Sequence, residues 1–437
     1  MSRRPSALAR LLDLRPGERA LVLRAGGVYA LVLTANYMLR PLRDALALTG
    51  GSSKLPWLFT ATFVGVLIAA PLIGWAAARL GRARLVEVVY GVCALVLVGL
   101  WGALGFGPRV LASQAFFVWI SIFNLIAVSM LWSVLADRLR TADAGRLFGL
   151  IAFGGSLGAI VGPTVAALVA TFLFADHLLL VAALLLVAAL VVGRPLWGAR
   201  RGPDADDGER GDEAMEDAPI GGSAWEGFVQ VLRSPALAGI CLYLLLMTTT
   251  ATVVYFEQEL IIERTFADDA ARTTALAGID LAVNVLSLSA QALLTGRIIR
   301  RFGLGVALAA LPLVTAVGLG LLGLMPALAI VAGLQIVRRA SNYALAKPAR
   351  EVLFTAVPRS ARYKAKSMID TVIYRGGDAL AGWAFTGLGA LGLGLGAIAW
   401  ITAPLALLWT GLGWRLGADA DAAERREDAP PPPPPRG

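Results

Sequence analysis

The chain is 437 residues long, 57% hydrophobic and 16% charged, with a formal net charge of +9 and a mean hydropathy of +0.71. Its charges are gathered into short clusters between apolar stretches of about 20 residues, long enough to cross a bilayer as helices, which excludes a soluble globular protein. The sequence holds no G-x4-G-K-[ST] motif, nucleophile–base arrangement or metal-ligand cluster, which argues against an ATP-driven pump and against an enzyme, and no cofactor is expected.

A basic tail, 1–20, comes first, without the short apolar core and small-residue cleavage site of a signal peptide. Twelve spans are predicted, at 21–39, 56–78, 85–106, 111–135, 147–174, 178–197, 236–256, 273–295, 303–324, 327–346, 368–390 and 393–413. Backbone groups in lipid must be satisfied internally, so the expected fold is an all-α membrane protein. Cys93 and Cys241 fall inside apolar stretches and read as small core residues. His177, the single histidine, lies in a short loop and suggests no zinc site. The segment 198–222 is acidic and rich in Gly and Pro. It reads as a linker within 198–235, between halves at 21–197 and 236–413. The tail 414–437 is acidic and ends in a proline run, a candidate for extended polyproline.

Lys and Arg are distributed unequally. With residues at span edges counted with the adjoining loop, 30 fall on the side of the two termini, 6 on the other side and 3 within spans. This bias predicts both termini in the cytoplasm and, for a bacterial cell, an inner-membrane location. The basic balance is thereby assigned to topology and the lipid bilayer, with no nucleic-acid partner.

Internal similarity supports two repeats. Gly74–Gly81 and Gly296–Gly303 both read G-x4-R-x-G, at an offset of 222 residues. The same offset aligns Gly154-Gly155-Ser156 with Gly376-Gly377-Asp378. Two six-span halves of this kind are the plan of major-facilitator transporters. Gly74–Arg84 resembles that superfamily's signature between spans 2 and 3, with Ala78 in place of its aspartate. Gly158–Pro163 resembles a span-5 Gly-Pro motif of facilitator antiporters, and equally suits close helix packing. Arg79 and Arg301, one in each repeat loop, are candidate gating or ion-pair residues.

Ionisable groups in lipid need a cavity or a partner. Span 1 ends in Asn36, Arg40 and Arg43 at i, i+4 and i+7, with Asp44 beside them and Pro41 as a kink. Asn124 adds polarity to span 4, and Thr248, Thr252, Tyr255 and Glu259 to span 7. Span 8 aligns Asp280, Asn284, Ser287 and Gln291 on one face. Asp280 is the candidate coupling acid, or else a counter-charge for Arg338 or Arg339. Span 10 carries Gln335, Arg338, Arg339 and Asn342. Span 11 carries Thr371, Tyr374, Arg375 and Asp378, the last two at i, i+3 as an intrahelical pair. Trp119 and Trp132 read as packing. Arginine dominates these positions and its fork fits carboxylate or phosphate oxygens, so the expected cargo is a small anion. Asn36, Arg40, Arg43, Asn284, Arg338, Arg339, Asn342 and Arg375 are the candidate binding residues.

Three stretches carry a further resemblance: Asn36–Leu46 (NYMLRPLRDAL), Tyr255–Leu260 (YFEQEL) and Arg362–Leu380 (RYKAKSMIDTVIYRGGDAL). With the twelve spans they resemble the bacterial and plastid-type ATP/ADP translocases. The resemblance implies nucleotide exchange by alternating access, with Arg40, Arg43, Lys364, Lys366 and Arg375 on phosphates. Arg375-Gly-Gly-Asp378 stands where typical members have a lysine-containing Gly/Ser-rich stretch. The rival readings are a proton-coupled facilitator of another organic anion and a non-transporting scaffold or sensor. A monomer is expected.

Overall fold

The computed structural model describes residues 18–80, 82–136, 141–198, 231, 234–355 and 369–427. The linker within 198–235, the Lys364–Lys366 element, the first 17 residues and the proline run lie outside them. The regular structure among the described residues is helical. The first six helices are α1 (Glu18–Ala47), α2 (Leu55–Leu80), α3 (Arg82–Phe106), α4 (Arg109–Ala136), α5 (Thr141–Phe172) and α6 (Leu178–Gly198). They are followed by α7 (Pro235–Thr265), α8 (Asp269–Ala290), α9 (Gly296–Leu324), α10 (Leu328–Ser341), α11 (Lys347–Thr355), α12 (Tyr374–Ala390) and α13 (Leu395–Glu427). Eight helical segments among the described residues are long and apolar enough to cross a membrane. One of them, Asp269–Leu324, covers two predicted spans.

Several boundaries differ from expectation. The first span was expected to end at 39, yet α1 continues to Ala47 with Pro41 inside it, so Arg40, Arg43 and Asp44 are helical residues. A proline is tolerated in a membrane helix where neighbours satisfy the freed carbonyl. The loop expected at 296–302 is helical, and the chain turns instead at Gly303 (φ 79°, ψ 176°). Asp421 accepts hydrogen bonds there from the Leu304 amide at 3.1 and 3.2 Å. The loop expected after 346 opens with α11. Wide π-turns occupy Gln291–Thr295, Asn342–Ala346 and Ile369–Ile373. Such turns recur where a helix is locally re-aimed.

The helices cluster into two units whose division passes through α2 and α8. Leu55–Phe63 of α2 belongs to the second unit, and Phe266–Leu281, with the first half of α8, to the first. The first unit packs α1 on α4, α5 and α6, and α3 on α4 and α6. The second packs α7 on α10, α12 and α13, and α9 on α10 and α13. These partnerships map onto one another under a shift of six spans, so the offset of 222 residues is matched in packing order. One of the glycine pairs aligned by that offset makes the corresponding approach in both units. Gly155 approaches Tyr29 and Leu33 of α1, and Gly377 approaches Leu245 and Thr248 of α7.

The α1–α5 seam is held by small residues. A Cβ at Gly154 would collide with the Gly26 carbonyl, one at Gly158 would lie 2.5 Å from the Ala30 carbonyl, and one at Gly162 2.8 Å from that of Thr34. The four-residue steps on both helices keep the backbones in register, the usual device where lipid supplies no hydrophobic drive. The Gly158–Pro163 motif therefore has a packing role in this fold.

Candidate functional site

In the first unit α1, α4 and the first half of α8 bring the expected polar residues together. Asn36 Nδ2 donates to Asn124 Oδ1 at 2.9 Å. Arg40 Nε lies 3.9 Å from Asp280 Oδ2, with the arginine side chain 32% exposed and the aspartate 7%. Arg43 Nε donates to Asp44 Oδ1 at 2.8 Å, and its guanidinium sits 5.0 Å from the centre of the Phe117 ring. Trp119 stacks on Phe123 with centroids 5.2 Å apart and planes within 10°. Asp280, the candidate coupling acid or else a counter-charge for Arg338 or Arg339, lies beside Arg40, because its half of α8 packs in the first unit. Asn284 and Ser287, further along α8 in the half that belongs to the second unit, are buried, and Ser287 donates its hydroxyl to the Val283 carbonyl at 2.6 Å.

A second ion-pair network in this unit was not anticipated. Arg109, the first residue of α4, grips Asp176 with two nitrogens at 2.6 and 3.2 Å and Asp269, the first residue of α8, at 2.9 Å. Arg272 adds a contact to Asp269 at 3.5 Å. The available signal was Arg109 itself, the single basic residue in a loop on the side poor in them.

In the second unit, Arg338 donates to Gln335 Oε1 at 2.8 Å, so the α10 stripe is internally bonded. Arg338 and Arg339 are half-buried. Asn342, in the π-turn after α10, accepts from Arg350 Nη2 at 3.4 Å. Gln291 and Thr295, from the π-turn after α8, donate to the Tyr343 and Ala344 carbonyls at 3.2 and 2.6 Å, so the two π-turns are clasped together. Arg375 and Asp378 form the expected i, i+3 pair at 3.9 Å, and Thr252 Oγ1 donates to Asp378 at 2.9 Å. Arg79 and Arg301 rest on aromatic rings of their own helices, Trp75 at 4.4 Å and Phe302 at 5.7 Å, and show no ion pair among the described residues. The first two turns of α2 bring Thr60 to the Trp383 indole at 3.0 Å and Trp57 edge-on to the same ring at 4.9 Å.

Arg350 lies in the stretch after 346 where the sequence predicts a loop. It is 7% exposed on α11. Its partners are Met247 Sδ at 2.6 Å and the distant Asn342 oxygen, with no carboxylate among the described residues.

The chain resembles several solved membrane transporters in fold. Crystal structures of the nucleoside transporter NupG (TM-score 0.63, 14% identity, 93% of this chain and 99% of the other) and of a D-xylose–proton symporter (0.60, 16%, 92% and 98%) are among them. A POT family transporter in complex with 5-aminolevulinic acid is another (0.59, 11%, 93% and 96%). At these identities the likeness establishes the fold alone. A comparison with curated proteins gives no match. The family model of the Major Facilitator Superfamily matches residues 25–347, about three quarters of the sequence. The chain is an all-α, multi-pass membrane protein with a transporter fold, and it belongs to the major facilitator superfamily.

Proposed function

We propose that the protein is a secondary transporter of a phosphorylated organic anion, of the ATP/ADP nucleotide-exchange type, working by alternating access with two six-span repeats and both termini in the cytoplasm. The observation that carries this reading is Arg350, a buried guanidinium held by a thioether and an amide oxygen. Burying a cation without an anion costs several kcal/mol, and a phosphate offers the planar fork two oxygens at once. Each unit adds cations of its own: Arg40 and Arg43 on α1 in the first, and Arg338 and Arg339 on α10 and Arg375 on α12 in the second. Arg40 lies by Asp280, Arg43 by Asp44 and Arg375 by Asp378. The α4 aromatic stack would suit a base but is equally a packing feature.

The test is thermal stabilisation of the detergent-solubilised protein by ATP, ADP, AMP and adenosine, followed by counterflow in liposomes. Stabilisation should rise with phosphate number, fall with salt and be lost in Arg350→Gln. Adenosine or an uncharged sugar stabilising as well as ATP would rule the reading out.

A further inference from the structure

Glu257 lies on α7, in the stretch Tyr255–Leu260, eight residues before the helix ends. It is 0% exposed, and neither carboxylate oxygen has a hydrogen-bond partner. The adjacent Gln258 gives its amide to Glu259 Oε1 at 3.0 Å and so does not serve it.

The elements packed on α7 offer few candidates for a counter-charge. On α12, Asp378 accepts from Thr252 and pairs with Arg375. On α10, Arg338 turns to Gln335, and Arg339 likewise makes no hydrogen bond to Glu257. On α9 the charges are confined to Arg297–Arg301, and on α13 they begin at Arg415. That level lies far from Glu257, because Gly239, near the start of α7, approaches Leu416. Asp370, in the π-turn before α12, has a side chain outside the described residues.

A carboxylate in such a place bears a desolvation cost that no partner offsets, whereas the acid form removes the charge and leaves only the smaller cost of a neutral polar group. Ionisable groups sealed within membrane helices mark ion and proton pathways, because a merely structural role is met more cheaply by an apolar residue. We infer that Glu257 is a proton-binding site: it holds a proton in the conformation described and releases it to water, leaving the carboxylate, in a conformation that hydrates this part of α7. The site is independent of which anion the protein carries. It assigns proton exchange to a residue of α7 other than the candidate coupling acid Asp280.

Infrared difference spectroscopy of the full chain, wild type against Glu257→Gln, tests this without a transport substrate. An un-ionised acid has a carbonyl stretch well apart from the carboxylate bands. The expected result is an acid band at neutral pH that is missing in Glu257→Gln and is lost reversibly as pH rises. Glu257→Gln should melt with the wild type, since one neutral group replaces another. Carboxylate bands in the neutral-pH difference spectrum would overturn the inference, as would an acid band that persists unchanged at alkaline pH. Should Glu257→Gln fail to fold, Glu257→Asp supplies the comparison. A shift of the acid band then supports the site, and an unchanged acid region refutes it.

Discussion

Replacing Gly158 by alanine tests the close packing of the first unit. The new Cβ would lie 2.5 Å from the Ala30 carbonyl oxygen, 3.0 Å from the Thr34 nitrogen and 3.1 Å from the Leu33 Cβ. Two of these atoms are backbone and cannot rotate aside. A comfortable carbon–oxygen contact is about 3.3–3.6 Å, so α1 and α5 must part by roughly 0.8 Å. A gap of that size forfeits about a quarter to a half of each dispersion contact along the seam, and overpacking of this kind costs about 1–3 kcal/mol. Alanine recovers about 1 kcal/mol of helix propensity, which leaves a net loss of about 0–2 kcal/mol, and about 1–3 kcal/mol relative to the same change at an open glycine. Gly99 on α3 is the control, because a Cβ there meets nothing within 4 Å. Gly99→Ala should therefore be neutral or stabilising by up to about 1 kcal/mol. Thermal unfolding of both variants in one detergent reads the contrast. If Gly158→Ala and Gly99→Ala shift the transition alike, the seam is not as tight as the backbone distances require.

Three other predictions address charge. Cysteines placed in the 198–235 linker and in the C-terminal tail should react with an impermeant reagent from the cytoplasmic side only; labelling of either from outside would invert the topology drawn from the 30-to-6 bias. Arg338→Gln or Arg339→Gln should weaken binding of a phosphorylated anion by at least about 1 kcal/mol, read by titration calorimetry at low salt, and undiminished affinity would remove α10 from the site. Asp280→Asn should lower the unfolding transition by leaving Arg40 without the acid 3.9 Å away. The double variant with Arg40→Gln should recover part of that loss, and strict additivity would show that the pair carries no coupling.

The positions of the helices were legible because a bilayer imposes a length on every apolar run, and each predicted span is occupied by a helix. Their ends were less so. Arg40 and Arg43 looked like the close of span 1 because charge was read as the membrane edge, whereas α1 carries both onward to Ala47. Burial and ion pairing allow a charged residue to continue a membrane helix, and neither is visible in one segment of sequence. The three π-turns were equally hidden, since they depend on an added residue in the backbone ladder and no residue type announces them.

The polar faces were read at helical spacing, and spacing identifies residues on a face without naming what lies opposite. Asp280 illustrates this. Its alignment with Asn284 and Ser287 was plain, but its neighbour Arg40 is 240 positions away in the chain. Glu257 and Arg350 were missed for a related reason. Reading Thr248, Thr252, Tyr255 and Glu259 as the polar stripe of α7 drew attention to one side of that helix, and Glu257 is angularly removed from it by the 100° step per residue. Arg350 was taken for a loop cation because six basic residues cluster between 347 and 367, whereas α11 buries it. Both residues stand out only when burial is set against partners, because an ionisable group in apolar surroundings costs most where nothing nearby answers it. For Arg350 the answer proposed is the cargo, and for Glu257 a proton.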